Sequence, residues 1–359
     1  MKKALKIILC VLGAVVALAA LGIAFLTVTE YRPADVEPLE IVGEPRGGGT
    51  EYTASARLST GEELSVLSWN IGYAGLGAGE DFFMDGGTKK TSADEATVEK
   101  YLNGISDTLD ELSPDLIMLQ EVDIDSARTH RVDERGFVTR GSGVHALNYS
   151  CPYVPIPWPP IGRVNSGLYT TTEYEIASAE RIALPCPFSW PVSTANLKRC
   201  LLVSYLSIEG SDKQLVLVNL HLEAYDDGEG KIAQTKQLRE FIQSEYEKGN
   251  YVIAGGDFNQ VFPGSLDVYP NTHPENWEPG VLPDDIAPEG WTLAYDLSVP
   301  SCRLLNQPYD ANDTENTQHY VIDGLILSPN VQLKTVETVN AGFENSDHNP
   351  VLVTVVLEK

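Results

Sequence analysis

The longest uninterrupted apolar stretch comes at the start of the chain, where Ile7 to Thr29 contains no charged residue. Those 23 residues, at 1.5 Å rise each, make about 34 Å of helix, enough to cross the hydrocarbon core of a bilayer. A cleaved signal peptide competes with this reading, and Ala17-Leu18-Ala19 offers a small-residue site. Apolar residues nevertheless continue through Val28, past an ordinary signal-peptide core. Residues 7–29 are therefore read as an uncleaved anchor and residues 1–6 as a short cytoplasmic N-terminus. Lys2, Lys3 and Lys6 precede the run, whereas Glu30, Asp35 and Glu37 follow it with only Arg32. That asymmetry predicts a single-pass cell-membrane protein whose remaining chain lies outside the cytoplasm.

Residues 30–60 read as a connector, broken by Pro33, Pro38, Pro45 and the run Gly47-Gly48-Gly49. From residue 61 to 359 the pattern is that of one folded domain. Leu64 to Trp69, Leu116 to Leu119, Leu215 to Val218, Tyr251 to Ala254, Val321 to Leu327 and Val351 to Val356 are short apolar runs suited to buried strands. Val98, Leu102, Ile105, Leu109 and Leu112 keep helical spacing behind a Ser92–Glu95 capping box, and Pro114 stops them. Ile232, Leu238, Ile242 and Tyr246 mark a second helix, ended by Gly249-Asn250. Strands alternating with helices predict an α/β or α+β domain whose sheets are covered by helices. Cys151 to Pro160 contains five prolines and is expected to be irregular, with Tyr153 and Trp158 suited either to a rigid connector or to a substrate-contacting rim.

Charge changes the picture. Twenty-five basic against 51 acidic residues give −26, and three of those bases precede the apolar run, so the remainder is more acidic still. Extended duplex nucleic acid is disfavoured as a partner, because no basic track follows a backbone path: Lys89-Lys90 and Lys198-Arg199 are isolated pairs. Cys151, Cys186, Cys200 and Cys302 follow the anchor. In an oxidising compartment at least one disulfide is expected among them, with Cys186–Cys200 favoured because it closes a short loop.

Candidate chemistry lies where the strands end. The runs lead into Trp69-Asn70, Gln120-Glu121, Asn219-Leu220-His221, Gly256-Asp257-Phe258-Asn259, Asp323, and Ser346-Asp347-His348-Asn349-Pro350. Any one of these is an ordinary turn or a hydrogen-bonded core residue. Together they place carboxylates, amides and imidazoles at the ends of buried strands, where each needs a partner.

The ordered set of these motifs resembles the endonuclease/exonuclease/phosphatase superfamily, the DNase I-like group, over the span from Leu64 to the C-terminus. Gly167-Leu168-Tyr169, Ile176 and Arg181-Ile182 resemble its middle strands more loosely. The resemblance implies a four-layer sandwich: two packed mixed β-sheets flanked by helices, here preceded by one transmembrane helix. It also implies a metal-dependent hydrolase acting on a phosphodiester or phosphomonoester. Glu121 would be the leading metal ligand with Asn70 beside it, and Asp347 would complete the shell or serve a second ion. Oxygen donors favour Mg²⁺, Mn²⁺ or Ca²⁺. Asp257 would orient or deprotonate water, and Asn259 would position that water or donate to a phosphate oxygen. His221 and His348 would donate to the phosphate, with Asp323 orienting His348 and raising its pKa. Lys231, after the acidic loop Asp226-Asp227-Gly228-Glu229, is left out of the site.

Nucleic acid, phospholipid head groups and small phosphate esters all remain open as substrates. A catalytically inactive binding module on the same fold is the alternative, weakened because every expected acid, amide and imidazole position is filled. No protein partner is inferable.

Overall fold

A computed structural model of the chain describes residues 2–43, 56–89, 93–226, 228–313 and 316–359. In chain order the strands of its two large sheets are β1 Val36–Pro38, β2 Ile41–Gly43, β3 Glu63–Asn70, β4 Leu116–Asp123, β5 Ser142–Val154, β6 Gly162–Thr172 and β7 Ile176–Ala183. They continue with β8 Cys200–Ser207, β9 Gln214–His221, β10 Tyr251–Asp257, β11 Thr292–Ala294, β12 Asp323–Leu327, β13 Val331–Thr338 and β14 Val351–Leu357. One seven-stranded sheet runs β1-β7-β8-β9-β10-β12-β11 and the other β13-β14-β3-β4-β6-β5-β2. Each contains one parallel pair, β9 with β10 and β3 with β4. Parallel neighbours need a crossover, supplied by helices α3 (Glu229–Glu247) and α2 (Glu95–Leu112).

Side-chain alternation builds four layers from these elements. Leu64 and Val66 of β3, Leu215 and Leu217 of β9, Ile253 of β10, Leu325 and Leu327 of β12 and the odd positions of β14 meet between the sheets. The opposite faces of β9 and β10 bury against Leu238 and Ile242 of α3. Those of β3 and β4 bury against Val98, Leu102, Ile105 and Leu109 of α2. The expected sandwich of two mixed sheets flanked by helices is thus the observed one.

The helices start and stop for local reasons. Asp94 caps α2 by accepting from the Thr97 amide at 2.9 Å, and Ser113 at φ 44° turns the chain out before Pro114. The expected Ser92 cap lies outside the described residues. On α3, Ile232 departs from the expected buried face and is 70% exposed.

Several other expectations are corrected. The connector is not wholly irregular: Val36–Pro38 adds to the edge of one sheet against β7 and Ile41–Gly43 to the other against β5, because Leu39 and Ile41 pack onto the inter-sheet core. Pro45 and Gly47 to Gly49 lie outside the described residues. Strand β5 continues through Cys151–Val154, with Pro152 accommodated where the register to β6 shifts. The expected disulfide is not formed, and all four cysteines are free. Cys200 points instead toward the Leu147 carbonyl inside the core, and Cys186 toward the Phe188 and Leu197 carbonyls.

The N-terminal helix α1 (Lys2–Val28) is apolar and long enough to cross a membrane, and its apolar window is not buried by the rest of the chain. Behind the functional end of the sandwich, one polar clamp ties the sheets together. Gln120 Nε2 donates to Asn219 Oδ1 at 2.8 Å, and Asn219 Nδ2 donates to the Leu119 and Tyr169 carbonyls at 3.0 and 3.1 Å. Replacing Asn219 by Ala strands these buried groups and is expected to cost about 2 kcal/mol of stability. Urea denaturation of the variant against the natural chain measures it.

Candidate active site

The side of each strand that builds the inter-sheet core also carries the polar residue at its end. The odd positions of β9 read Leu215, Leu217, Asn219, His221, and those of β10 read Ile253, Gly255, Asp257. The row on β12 read backwards is Leu327, Leu325, Asp323, and the even positions of β3 are Leu64, Val66, Ser68, Asn70. Register aligns the ends: Asp257 lies opposite both His221 and Asp323, and Asn70 opposite Gln120. The apolar seam between the sheets therefore terminates in a polar floor.

Glu121 reaches that floor by an irregularity. It occupies φ 58°, inside the register shift between Leu119 and Val122 of β4 against β6. A left-handed glutamate is strained, and such strain persists where surrounding contacts enforce it. Close by, Arg128 grips Asp123 with Nε and Nη2 at 2.8 Å each while its guanidinium covers the Tyr73 ring at 3.6 Å.

Asp257 is the hub of the site. Its Oδ1 accepts from the Asn259 amide at 2.8 Å and its Oδ2 from Asn70 Nδ2 at 3.0 Å. His221 Nε2 and His348 Nε2 stand 3.5 and 3.7 Å from that same Oδ2. His348 Nδ1 meets Asp323 Oδ2 at 2.8 Å, and Ser301 Oγ donates to the same oxygen at 2.7 Å. Two further bonds lock the His348 segment to β3: Trp69 Nε1 donates to the His348 carbonyl at 2.8 Å, and Ser346 Oγ donates to the Asn70 carbonyl at 2.7 Å. Asn70 Nδ2 also donates to Glu121 at 3.2 Å, while its Oδ1 accepts from the Gly72 amide.

A cleft of about 800 Å³ opens above this floor. Of the eight residues expected from the sequence, Glu121, His221, Asp257, Asn259, Asp347 and His348 line it. Asn70 and Asp323 sit behind them as hydrogen-bonding supports. Asn259 is half-committed, donating its amide to the Leu222 carbonyl at 2.8 Å. Lys231 does not line the cleft; its Nζ is held by the Ala224 carbonyl and Asp226.

Burial pushes the Glu121 and Asp347 carboxyls above their ordinary range, and the charge of Asp347 adds to the effect on Glu121. Burial and the neighbouring Asp323 push Asp257 up to about 7. Among the described residues neither Glu121 nor Asp347 forms an ion pair with Lys or Arg. Hard oxygen donors, buried and without a direct cationic partner, suit a hard divalent cation. The two histidines differ. Burial, reinforced by Arg199, holds His221 well below its usual value, and its Nδ1 has no partner among the described residues. Burial pulls His348 down too, but Asp323, with Cys302 and Asp347 adding to it, outweighs that and holds His348 well above.

Sequence reasoning missed several lining groups. Arg128, Arg199 and Arg303 bring three guanidinium groups to the cleft of an otherwise acidic molecule. Arg303 is 2% exposed and donates to the Leu76, Gly77 and Glu80 carbonyls. Asp85, pushed up to about 7 chiefly by burial, accepts from the Tyr225 hydroxyl at 3.1 Å. None belongs to a motif, and they enter the cleft from short 3-10 turns, a loop and a two-residue strand. Only the third coordinate could reveal them.

The model of the Endonuclease/Exonuclease/phosphatase family matches residues 67–348. Among solved structures, that of an endonuclease/exonuclease/phosphatase from Beutenbergia cavernae DSM 12333 is similar at 16% identity and TM-score 0.52, covering 82% of this chain and 72% of that one. ANGEL2, a 2′,3′-cyclic phosphatase solved with adenosine-2′,3′-vanadate, is similar at 13% identity and TM-score 0.51, covering 83% and 96%. The human Nocturnin catalytic domain with bound sulfate is similar at 16% identity and TM-score 0.50, covering 88% and 96%. At such identities the likeness concerns the fold. No curated protein matches the chain.

Proposed function

Since the chain belongs to the endonuclease/exonuclease/phosphatase family, we propose that it is a membrane-anchored, divalent-cation-dependent phosphoesterase. The observation that carries the reading is the convergence of Glu121, Asp257, Asp347, His221 and His348 on one cleft floor. A divalent cation bound by Glu121 and Asp347, with Asn70 beside them, would neutralise charge on the phosphoryl oxygens. Mg²⁺ or Mn²⁺ fits this all-oxygen set best, and Ca²⁺ is chemically compatible.

The protein's own groups perform the rest. Asp257, held by the Asn259 amide and Asn70, is oriented to accept a proton from the attacking water. His348, kept protonated by Asp323, donates to a phosphoryl oxygen as negative charge develops there. His221, neutral and 3.5 Å from Asp257 Oδ2, donates one further hydrogen bond at the same place. Asn259 sets the position of the water through its bond to Asp257.

The test is hydrolysis of bis(p-nitrophenyl) phosphate by the full chain in mild detergent. Activity should vanish with EDTA and return with Mg²⁺ or Mn²⁺. A folded chain that binds the cation but cleaves no phosphoester would identify a binding module instead.

The anchor carries a prediction of its own. A reporter fused after Lys359 is expected to be active only in its extracytoplasmic form, since the lysines precede the apolar run and the acids follow it. Protection of the domain from added protease, in cells stripped of any outer barrier, would refute this orientation.

A further inference from the structure

The apolar N-terminal helix and the catalytic cleft share a wall. Ile23 and Leu26 of α1 line the same cavity as Glu121, Asp257 and His348. At this end the helix is fixed to the domain. Leu26 packs against the buried cluster of Cys151, Val154 and Val164, as Tyr149 and Ile161 do. Trp190 Nε1 donates to Thr27 Oγ1 at 3.0 Å, and Lys198 pairs with Glu30 at 2.9 Å, both side chains at most 15% exposed. Within a few residues the chain then joins β1, so the domain has little freedom to move away from the helix end.

The surface between helix and site is apolar and open. Met84, Ile156 and Val192 line the cleft yet are 47%, 71% and 57% exposed. Trp190, next to the lining residue Pro191, and Trp158, two residues beyond the lining residue Ile156, are 61% and 83% exposed. Exposed apolar side chains gathered at the wall of one cleft mark an interaction site. When α1 crosses a bilayer with its lysines on one side, its last turns, Ile23 to Val28, lie at the opposite interface. Tryptophan is favoured at that depth. The cleft then opens among the head groups, with its apolar wall continuous with the acyl region.

We propose that the substrate is a phospholipid drawn from the leaflet into which the anchor emerges, an inference that rests on the phosphoesterase reading above. The head-group phosphate reaches the polar floor, while the tails stay against Ile23, Leu26, Met84 and Ile156. The oxygen of water bonds to phosphorus and one P–O ester bond breaks. The departing alkoxide takes up a proton, giving a phosphomonoester and an alcohol.

The experiment uses the full chain reconstituted in phosphatidylcholine vesicles with Mg²⁺, following phospholipid by ³¹P NMR and bis(p-nitrophenyl) phosphate by absorbance. Both are expected to be cleaved. Lys198→Glu, which breaks the pair with Glu30, and Trp158→Ser should each slow phospholipid cleavage about tenfold by misplacing the mouth, with the soluble diester held within about twofold. Adding Glu30→Lys to Lys198→Glu should restore phospholipid cleavage. Hydrolysis of the soluble diester with phospholipid left intact overturns the proposal, as does an equal loss on both substrates in both single variants. Cleavage of neither substrate by the natural chain would bring down the phosphoesterase reading itself, and this inference with it.

Discussion

Glu121→Gln and Asp257→Asn are each expected to lower turnover of a phosphodiester by about three orders of magnitude, because each removes a charge that acts on the transition state. The first would weaken the grip on the cation; the second would take away the acceptor for the water's proton. Neither should unfold the protein. Both carboxyls lie above their ordinary range, chiefly through burial, so the folded state binds their protons more tightly than the unfolded chain does. Ionisation therefore works against folding, and stability falls as pH rises from the unfolded value toward the raised folded one. A neutral isostere is relieved of this cost. Glu121→Gln should melt no lower than the natural chain at pH 7 without added cation, an exchange of stability for activity common at functional sites. Asp257→Asn, by contrast, offsets its gain by turning one of two hydrogen-bond acceptors into a donor facing Asn70 or the Asn259 amide. Calorimetry supplies a second readout: Mg²⁺ should raise the melting temperature of the natural chain but much less that of Glu121→Gln, since only a ligand that binds the folded state stabilises it. Near-natural turnover in either folded variant would refute the assignment.

The second large effect separates the two histidines. His348→Ala should cost about two to three orders of magnitude in turnover, the size associated with losing one donor to a developing oxyanion. Asp323→Asn keeps the shape but removes the charge that most strongly raises His348. The imidazolium should then be lost at lower pH, moving the alkaline limb of the activity profile to lower pH. The same charge helps to raise Asp257, so the acidic limb should move in the same direction. A movement of both limbs to lower pH, with reduced height, is the expected result. His221→Ala should lower turnover without moving the alkaline limb, since His221 is already neutral. An unchanged profile in Asp323→Asn would reduce its bond to His348 to a structural contact. The sign for stability follows the same logic. His348 stabilises the fold below the unfolded histidine value, and that contribution is lost as pH rises through its raised folded value.

Much of this was legible before any coordinates. The apolar helix over residues 7–29, the two crossover helices and the strands leading into Asn70, His221 and Asp257 announce themselves by periodicity and stop signals, which are local. The polar strand ends were visible for the same reason, and so was their ordered resemblance to one superfamily.

Other features depend on contacts between distant segments. A strand buried on both faces, such as Leu215 to Val218, carries no mark of which face meets the other sheet, so the row that delivers His221 and Asp257 to the floor was hidden. The left-handed turn at Glu121 accompanies the shifted pairing of β4 with β6, which a neighbouring strand sets. The edge strands at Val36 and Ile41 form only because a sheet edge and an apolar core await them. Arg199, Arg303 and Asp85 reach the cleft from segments without any motif. By itself the sequence determined the membrane-length helix, the element order and the chemical types at the strand ends, since each is a property of a short stretch of chain. Tertiary structure alone decided which of those groups meet, which are buried together so that their proton affinities shift, and that the end of the helix forms one wall of the cleft.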